Sequence, residues 1–524
     1  MKRRKFLKSA AIAGASASAG VFAILKYPRG ARAAGWGVWP SDKMSSILPA
    51  DYQVSRVLEL NMNGGMNPWD TFYGVPDWGV DDFTFGNQFA PGAVGINPPQ
   101  MSRDDRFAAC GFAGDLFVPF NAADANGVDL FLGPWTFPFR DRPDILDRMR
   151  IVVQRHDVVA HEGANPLAFS GDRLGHPRLA GIGTAIQRYF SENPEAGGGL
   201  RAAPYSYVLY PGIGFSTFNS LSASAVGFHP GSARPLGVTV TPNSMLSQLL
   251  ARTGPYDRAA FDEAITVYRQ AYEARLKTGG VGAPTRSAER GNYEYADYSR
   301  RHAVELQTVL SQDLFQPIAP GAVECGAAMQ QMYDMPQMQA NLAANLLTRD
   351  TDEARYVLWI DAGINPHPNG GHDSHTLHTV QAAQNYPHTF RALANIIGDG
   401  PGQLSLDDTM IVINTEFGRT PGRQPEGGAT GTNHWPWGYV SIFIGGPVRS
   451  RGCYGAITYA PGDVNTNGYA SEYATPAENR MMVLQAMGIY PFSSQSYAVG
   501  DVRGGVTDEV EATTRVRDIY LGVG

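Results

Sequence analysis

Five short stretches of the chain are almost continuously apolar: Arg56–Met62 (RVLELNM), Ile151–Arg155 (IVVQR), Tyr356–Ile360 (YVLWI), Met410–Asn414 (MIVIN) and Tyr439–Ile444 (YVSIFI). Neither strict alternation nor a helical period runs through them, which is the pattern of strands covered on both faces. Helical segments lie between them: Arg258–Leu276, Glu305–Leu314, Ala328–Thr348, Leu377–Ile397 and Glu478–Met487. Pro336 and Pro387 interrupt the third and fourth. The alternation predicts an α/β fold, doubly wound, with a largely parallel central sheet and helices on both faces. Two Gly/Pro/aromatic-rich stretches, about 72–145 and 202–240, fit neither period and read as ordered loop insertions over one end of the sheet. The stretch 279–291 (GGVGAPTRSAERG) reads as an internal linker.

Composition narrows the function classes. The chain has 524 residues with 60 Gly and 36 Pro, a share of about 18% that implies many turns and long loops. Charged residues make up only 17%, and beyond the N-terminus no Lys/Arg run offers a nucleic-acid track. Cys110, Cys325 and Cys453 are widely separated, so neither a disulfide scaffold nor a cysteine-rich zinc site fits, and at most one disulfide could form.

The first 33 residues read as an export signal rather than as part of the fold. Arg3-Arg4 lies in a basic start, the Ala/Gly/Ser-rich stretch Ser9–Leu25 follows, and Ala31-Arg32-Ala33 is a small-x-small cleavage site. The uncharged stretch is short and weakly apolar for a bilayer span. The expectation is a twin-arginine (Tat) signal peptide over 1–33 and a single domain over 34–524, periplasmic or secreted, with no stable membrane span after cleavage. The Tat translocase is then a partner during export. Cleavage removes eight Lys/Arg and no acid, which takes the formal net charge from −7 to −15. The Tat route carries proteins that fold or load a cofactor before export, which favours a metal or cofactor protein.

Candidate chemistry follows the strands, where open α/β sheets bind ligands. Of 11 histidines, five fall between 367 and 388 (His367, His372, His375, His378 and His388), and His434 follows. Asp373 and His375, two apart on a loop, supply the oxygen and nitrogen donors of a Zn, Mn or Fe site. The alternative is a loop in which Asp373 or Ser374 caps the next helix. The run MIVINTEFGRTP ends a buried strand with Glu416, a potential ligand, and Arg419, which can hold an anionic ester group; the alternative is a salt bridge that fixes the turn. His434 in Thr432-Asn433-His434-Trp435-Pro436 gains interest only beside the other two segments. Cys325, Met329, Met332, Met335 and Met338 repeat at short intervals that could suit Cu(I), but Met also fills irregular cores.

Together these blocks resemble the exported bacterial family called domain of unknown function 1501, itself similar to the alkaline phosphatase and sulfatase superfamily. Asp373-x-His375, Glu416-Phe417-Gly418-Arg419-Thr420-Pro421, Asn433-His434-Trp435-Pro436 and Gly445-Gly446 to Tyr454-Gly455-Ala456 follow the family's order. Asn63-Gly64-Gly65 through Asp70-Thr71-Phe72 and His161 through Ser170-Gly171 to Gly175-His176-Pro177 resemble its two N-terminal blocks. The resemblance implies an alkaline phosphatase-like fold in which strand ends hold one or two divalent cations, with Asp70, Asp373, His375, Glu416 and His434 as metal ligands. It implies Arg419 as the charge stabiliser, Ser170 as the best positional nucleophile and Thr184 as the second. Asn433 stands where the family usually has Asp, and Met66-Asn67 replaces its Pro-Ser. No cysteine lies in a Cys-x-Pro-x-Arg motif, which disfavours a formylglycine sulfatase. The expected function is an exported hydrolase of small phosphate or sulfate esters using Zn or Mn. The alternative is a non-catalytic exported protein that binds or assembles an unknown partner around a decayed or structural metal site.

Overall fold

A computed structural model of the chain describes residues 35–76, 78, 117–176, 180–193, 196, 206–211, 235–240, 258–278, 334–349, 354–364, 372–375, 378–421, 431–460 and 467–523. All five apolar runs are strands of one sheet. Its eight strands are β1 (Arg56–Met62), β2 (Met149–Gln154), β3 (Ser206–Pro211), β4 (Leu236–Val240), β5 (Tyr356–Asp361), β6 (Thr409–Asn414), β7 (Tyr439–Gly445) and β8 (Gly452–Tyr454), in the order β8-β2-β7-β6-β1-β5-β3-β4. Seven run the same way, and β7 alone is antiparallel to its neighbours β2 and β6. The central strand β1 pairs with β5 through Leu58↔Val357 and with β6 through Leu58↔Ile411.

Successive side chains of a strand point to opposite faces, so a doubly covered strand feeds two cores. On one face Leu58, Leu60, Trp359 and Ile413 pack with Leu342 and Leu346 of α4 (Met335–Thr348) and Phe390 and Leu393 of α5 (His378–Asn395). On the other, Val57, Leu358 and Val412 pack with Ile186 and Phe190 of α2 (Ile182–Glu192) and Met481 and Leu484 of α6 (Pro476–Ala486). The other two labelled helices are α1 (His161–Ser170), which follows β2, and α3 (Arg258–Thr278). A mixed α/β fold with a mostly parallel sheet and helices on both faces is therefore established.

The helices start where local chemistry dictates. Asp334 caps α4 by accepting from the Gln337 amide at 3.0 Å, so Pro336 sits in the first turn, where its missing N–H costs nothing, rather than interrupting a longer helix. Thr475 and Glu478 form a capping box that opens α6 two residues before its expected start, and α6 is buried on every side. Pro387 is accommodated inside α5.

One expectation is corrected. The stretch 202–240 is not simply an insertion, because its two ends are β3 and β4, which complete the sheet beyond β5. Within 72–145 the chain makes a hairpin of Val118–Ala123 with Asp129–Leu132 and two short helices, Phe137–Arg140 and Pro143–Leu146. The linker 279–291, the helix Glu305–Leu314, residues 1–33, Cys110, Cys325, Met329, Met332 and His367 lie outside the described residues. Met335 and Met338 are buried in the α4 core, and Cys453 is free. Among the described residues no helix is long and apolar enough to cross a membrane.

Candidate metal centre

The carboxyl ends of the parallel strands bring together loops distant in sequence. After β1 comes Asn63-Gly64-Gly65, after β2 the turn into His161 at the start of α1, and after β6 the segment Thr415-Glu416-Phe417. The segment 372–375 lies between β5 and α5. Because β7 runs backwards, its approach segment arrives at this same end. There His434 and Trp435 pair antiparallel with Arg419 and Gly418. This is why His434 precedes its strand while the other site residues follow theirs.

Four side chains converge at this edge. Asp373 Oδ1 lies 3.0 Å from His375 Nε2 and 3.1 Å from His434 Nε2, and those two nitrogens are 3.0 Å apart. His161 Nε2 lies 3.4 Å from Asp373 Oδ2 and is buried without a hydrogen bond. Tetrahedral sites with bonds of about 2.0–2.1 Å place ligand atoms about 3.3 Å apart, and the group that can hold a divalent cation is two imidazoles and one carboxylate, those of His161, His434 and Asp373. Donor atoms of His161, Asp373 and His434 all lie within 4.8 Å of one another.

The groups behind these donors aim them. His161 turns Nδ1 to Glu416 Oε1 at 2.9 Å, and His434 turns Nδ1 to the Val159 carbonyl at 2.6 Å. A carboxylate or carbonyl on the far nitrogen fixes an imidazole in the orientation a metal needs. Glu416 is fully buried and also accepts the Gly64 amide at 2.7 Å. It therefore orients His161 from behind, where the sequence suggested a direct ligand. The His434 ring stacks on Phe417 with centroids 4.2 Å apart and meets His161 edge-on at 4.4 Å.

Arg419 is also placed behind the donors. It is buried, and its Nη2 donates to the Gly64 and His372 carbonyls and to Asp373 Oδ1 at 2.5 Å. Gly64 has a φ of +105°, and a Cβ there would meet the Asp373 amide nitrogen at 2.3 Å. The glycine allows the β1 loop to lie directly on the ligand loop.

The charges respond to this packing. Burial works against the Asp373 carboxylate, but the imidazoles of His161, His375 and His434 beside it and the Arg419 charge hold it far below the usual carboxylate range. Burial likewise disfavours a charged His161, yet Asp373 and Glu416 outweigh it and raise the imidazole to about 9. His434 is lowered by burial and by the nearby Arg419 and His161 charges. The same burial pushes His156, whose Nε2 meets the Glu416 carbonyl at 2.7 Å, down to about 4.

Of the residues singled out from sequence, Asp373, His375, His434, Glu416 and Arg419 come together. Asp70 does not join them, because it is buried against His378, with Oδ2 2.8 Å from that ring's Nε2. Ser170 ends α1, nine residues from His161, which is roughly 13 Å along a helix axis. Its hydroxyl is occupied by the Pro166 carbonyl at 2.5 Å, so the structure does not present it to the cluster. Thr184 is buried in the first turn of α2. Asn433 turns its carboxamide oxygen to the His434 amide at 2.8 Å, a local turn contact. His161 is the donor that sequence reasoning missed; the available signal was its position just beyond a buried strand.

Residues 288–473 match the model of a family described as a protein of unknown function, DUF1501. The matched segment includes Asp373, His375, Glu416, Arg419 and His434, whereas His161 and Asp70 precede it. No curated protein and no solved structure matches the chain.

Proposed function

We propose that the chain is an exported, metal-dependent hydrolase of phosphate or sulfate esters on an alkaline phosphatase-like scaffold. The observation that carries the reading is the convergence of His161, Asp373 and His434 within reach of one cation, with His375 against the last two, at the sheet edge where α/β proteins bind ligands. Zn or Mn suits the nitrogen and oxygen donors. A cation held there supplies Lewis acidity toward an ester oxygen and activates water. Glu416 holds His161 in register for it, and Arg419 anchors Asp373. His161 and His375, each with about a quarter of its side chain exposed, mark the side open to substrate.

One observation favours the second reading, a non-catalytic exported binding or assembly protein. Arg419, the expected charge stabiliser, is buried and bonded to main-chain carbonyls and to Asp373. The two readings separate in a single experiment on protein purified without a polyhistidine tag. A hydrolase should contain roughly one equivalent of Zn or Mn, cleave an aryl phosphate, phosphodiester or sulfate, and lose that activity to a chelator. His434→Ala should lower metal content and turnover together. Full metal occupancy with silence across the ester panel would establish the binder instead. Export through the Tat system is tested by replacing Arg3 and Arg4 with Lys, which should leave the uncleaved protein in the cytoplasm. Normal export of that variant would refute the leader reading.

A further inference from the structure

We propose that Asp70, His378 and Ser374 form a positioning relay that sets where Asp373 and His375 meet a cation; the proposal rests on the metal reading above. Asp70 Oδ2 lies 2.8 Å from His378 Nε2 and accepts the Trp135 indole N–H at 3.1 Å. The other ring nitrogen, Nδ1, lies 2.6 Å from the Ser374 hydroxyl. Asn67 Nδ2 lies 2.9 Å from Nε2 and packs against the same edge.

Ser374 is the junction of two ligand-bearing segments. It stands between Asp373 and His375, and its carbonyl accepts the Thr432 amide at 3.1 Å, two residues before His434. Side chains alternate along this loop. Asp373 and His375 face the donor cluster, whereas Ser374 turns inward to His378, and His372 turns inward to Asp361 at 2.7 Å. The relative exposures of Asp70, His378 and Ser374 are 0%, 1% and 2%, so these groups act through the ligands beside them rather than on a substrate.

An ionised Asp70 accepts a hydrogen bond from His378 Nε2–H, which leaves Nδ1 to accept from the Ser374 hydroxyl; in that tautomer the Asn67 amide, a donor only, makes no hydrogen bond to Nε2. An asparagine at position 70 keeps the volume but removes the charge. Its oxygen, held on the side of the Trp135 N–H, then accepts from Nε2 as a neutral and weaker partner. The hold on the ring loosens without a cavity being made.

The test is cobalt(II) titration of the purified protein, following the visible d–d spectrum and affinity, with thermal melts in parallel. Asp70→Asn and Ser374→Ala should weaken cobalt binding by about 10- to 100-fold and shift the d–d bands, while Ser374→Thr, which keeps the hydroxyl, should restore both. Folded variants with wild-type affinity and spectrum would overturn the relay, even with a lower melting temperature, since packing alone would then explain the contacts. If Asp70→Asn does not fold, the Ser374→Ala and Ser374→Thr pair decides the matter. A wild-type protein that takes up no cobalt overturns the metal reading and the relay together. Normal uptake with unaffected variants overturns the relay alone.

Discussion

At the scale of single residues, His161 shows what the cluster demands of its members. Its imidazole, raised to about 9 by Asp373 and Glu416 against an ordinary value of 6.5, is protonated at neutral pH when no cation is bound. A cation needs the neutral ring and must displace that proton. Metal affinity should therefore rise about tenfold per pH unit up to pH 9 and level off above it, and a competition titration across that range reads the slope. His161→Gln should flatten it; an equally steep profile in that variant would remove His161 from the site. The metal-free protein has the opposite dependence. Because the folded value lies above the unfolded one, the stabilisation is fully present below pH 6.5 and is lost as pH rises through 9. His161 was hard to read from sequence for the same reason that it works. It is an isolated histidine whose partners, Glu416 and Asp373, lie more than 200 residues away along the chain. Asp373 and His375 were legible because they stand two apart in a histidine-dense loop. Asp70, a metal ligand by the resemblance alone, was not legible as the partner of His378, since nothing local distinguishes a ligand from a buried hydrogen-bond acceptor.

At the scale of elements, the five short apolar runs revealed their strands because a strand buried on both faces carries apolar residues toward both. β3 and β4 escaped because their short runs, Ser206–Pro211 and Leu236–Val240, are embedded in Gly, Pro and aromatic residues. The reversal of β7 is invisible in YVSIFI, since a doubly buried strand reads the same in either direction. That reversal nevertheless places His434. The junction of elements is most exacting at Gly64 and Gly65, both with a φ of +105°. A Cβ on Gly65 would meet Arg419 Nε at 2.8 Å, just as one on Gly64 would meet the Asp373 backbone. Gly64→Ala should cost on the order of 1–3 kcal/mol in backbone strain, with the contact adding to it, and should lower metal content by displacing Asp373. Urea denaturation and metal analysis of the same preparation check both. A variant of normal stability and full occupancy would show that the β1 loop does not support the ligand loop.

At the scale of the whole molecule, two polar systems lie on the same sheet and should be energetically separable. One is the donor cluster at the strand ends. The other is within the sheet, where Glu59 of β1 is fully buried and bonded to Arg480 of α6 at 2.7 Å, to the Tyr356 hydroxyl at 2.6 Å and to Asn414 at 2.9 Å. Breaking one side of a buried pair strands the other charge, so Glu59→Gln should cost about 3–5 kcal/mol whether or not metal is present. Metal stabilises by mass action instead, by about 2.7 kcal/mol at a hundredfold excess over the dissociation constant. Spread over a domain of this size, that shifts the melting temperature by only about 3 °C. Its structural reach should be correspondingly local. The segments at the site, 63–65, the start of α1 at His161, 372–375, 415–419 and 432–435, are tied to one another at the sheet edge, and of their side chains only Trp435 packs against either core. Chelation should therefore speed amide hydrogen exchange in those loops and leave the interiors of β1, β5 and β6 protected, while Glu59→Gln should loosen β1, β6 and α6 together. Exchange that accelerates uniformly on chelation would mean that the metal is a structural centre of the fold. No change anywhere would mean that the donor cluster holds no ion. Only the local pattern is what a site added at the edge of an independently stable sheet should give.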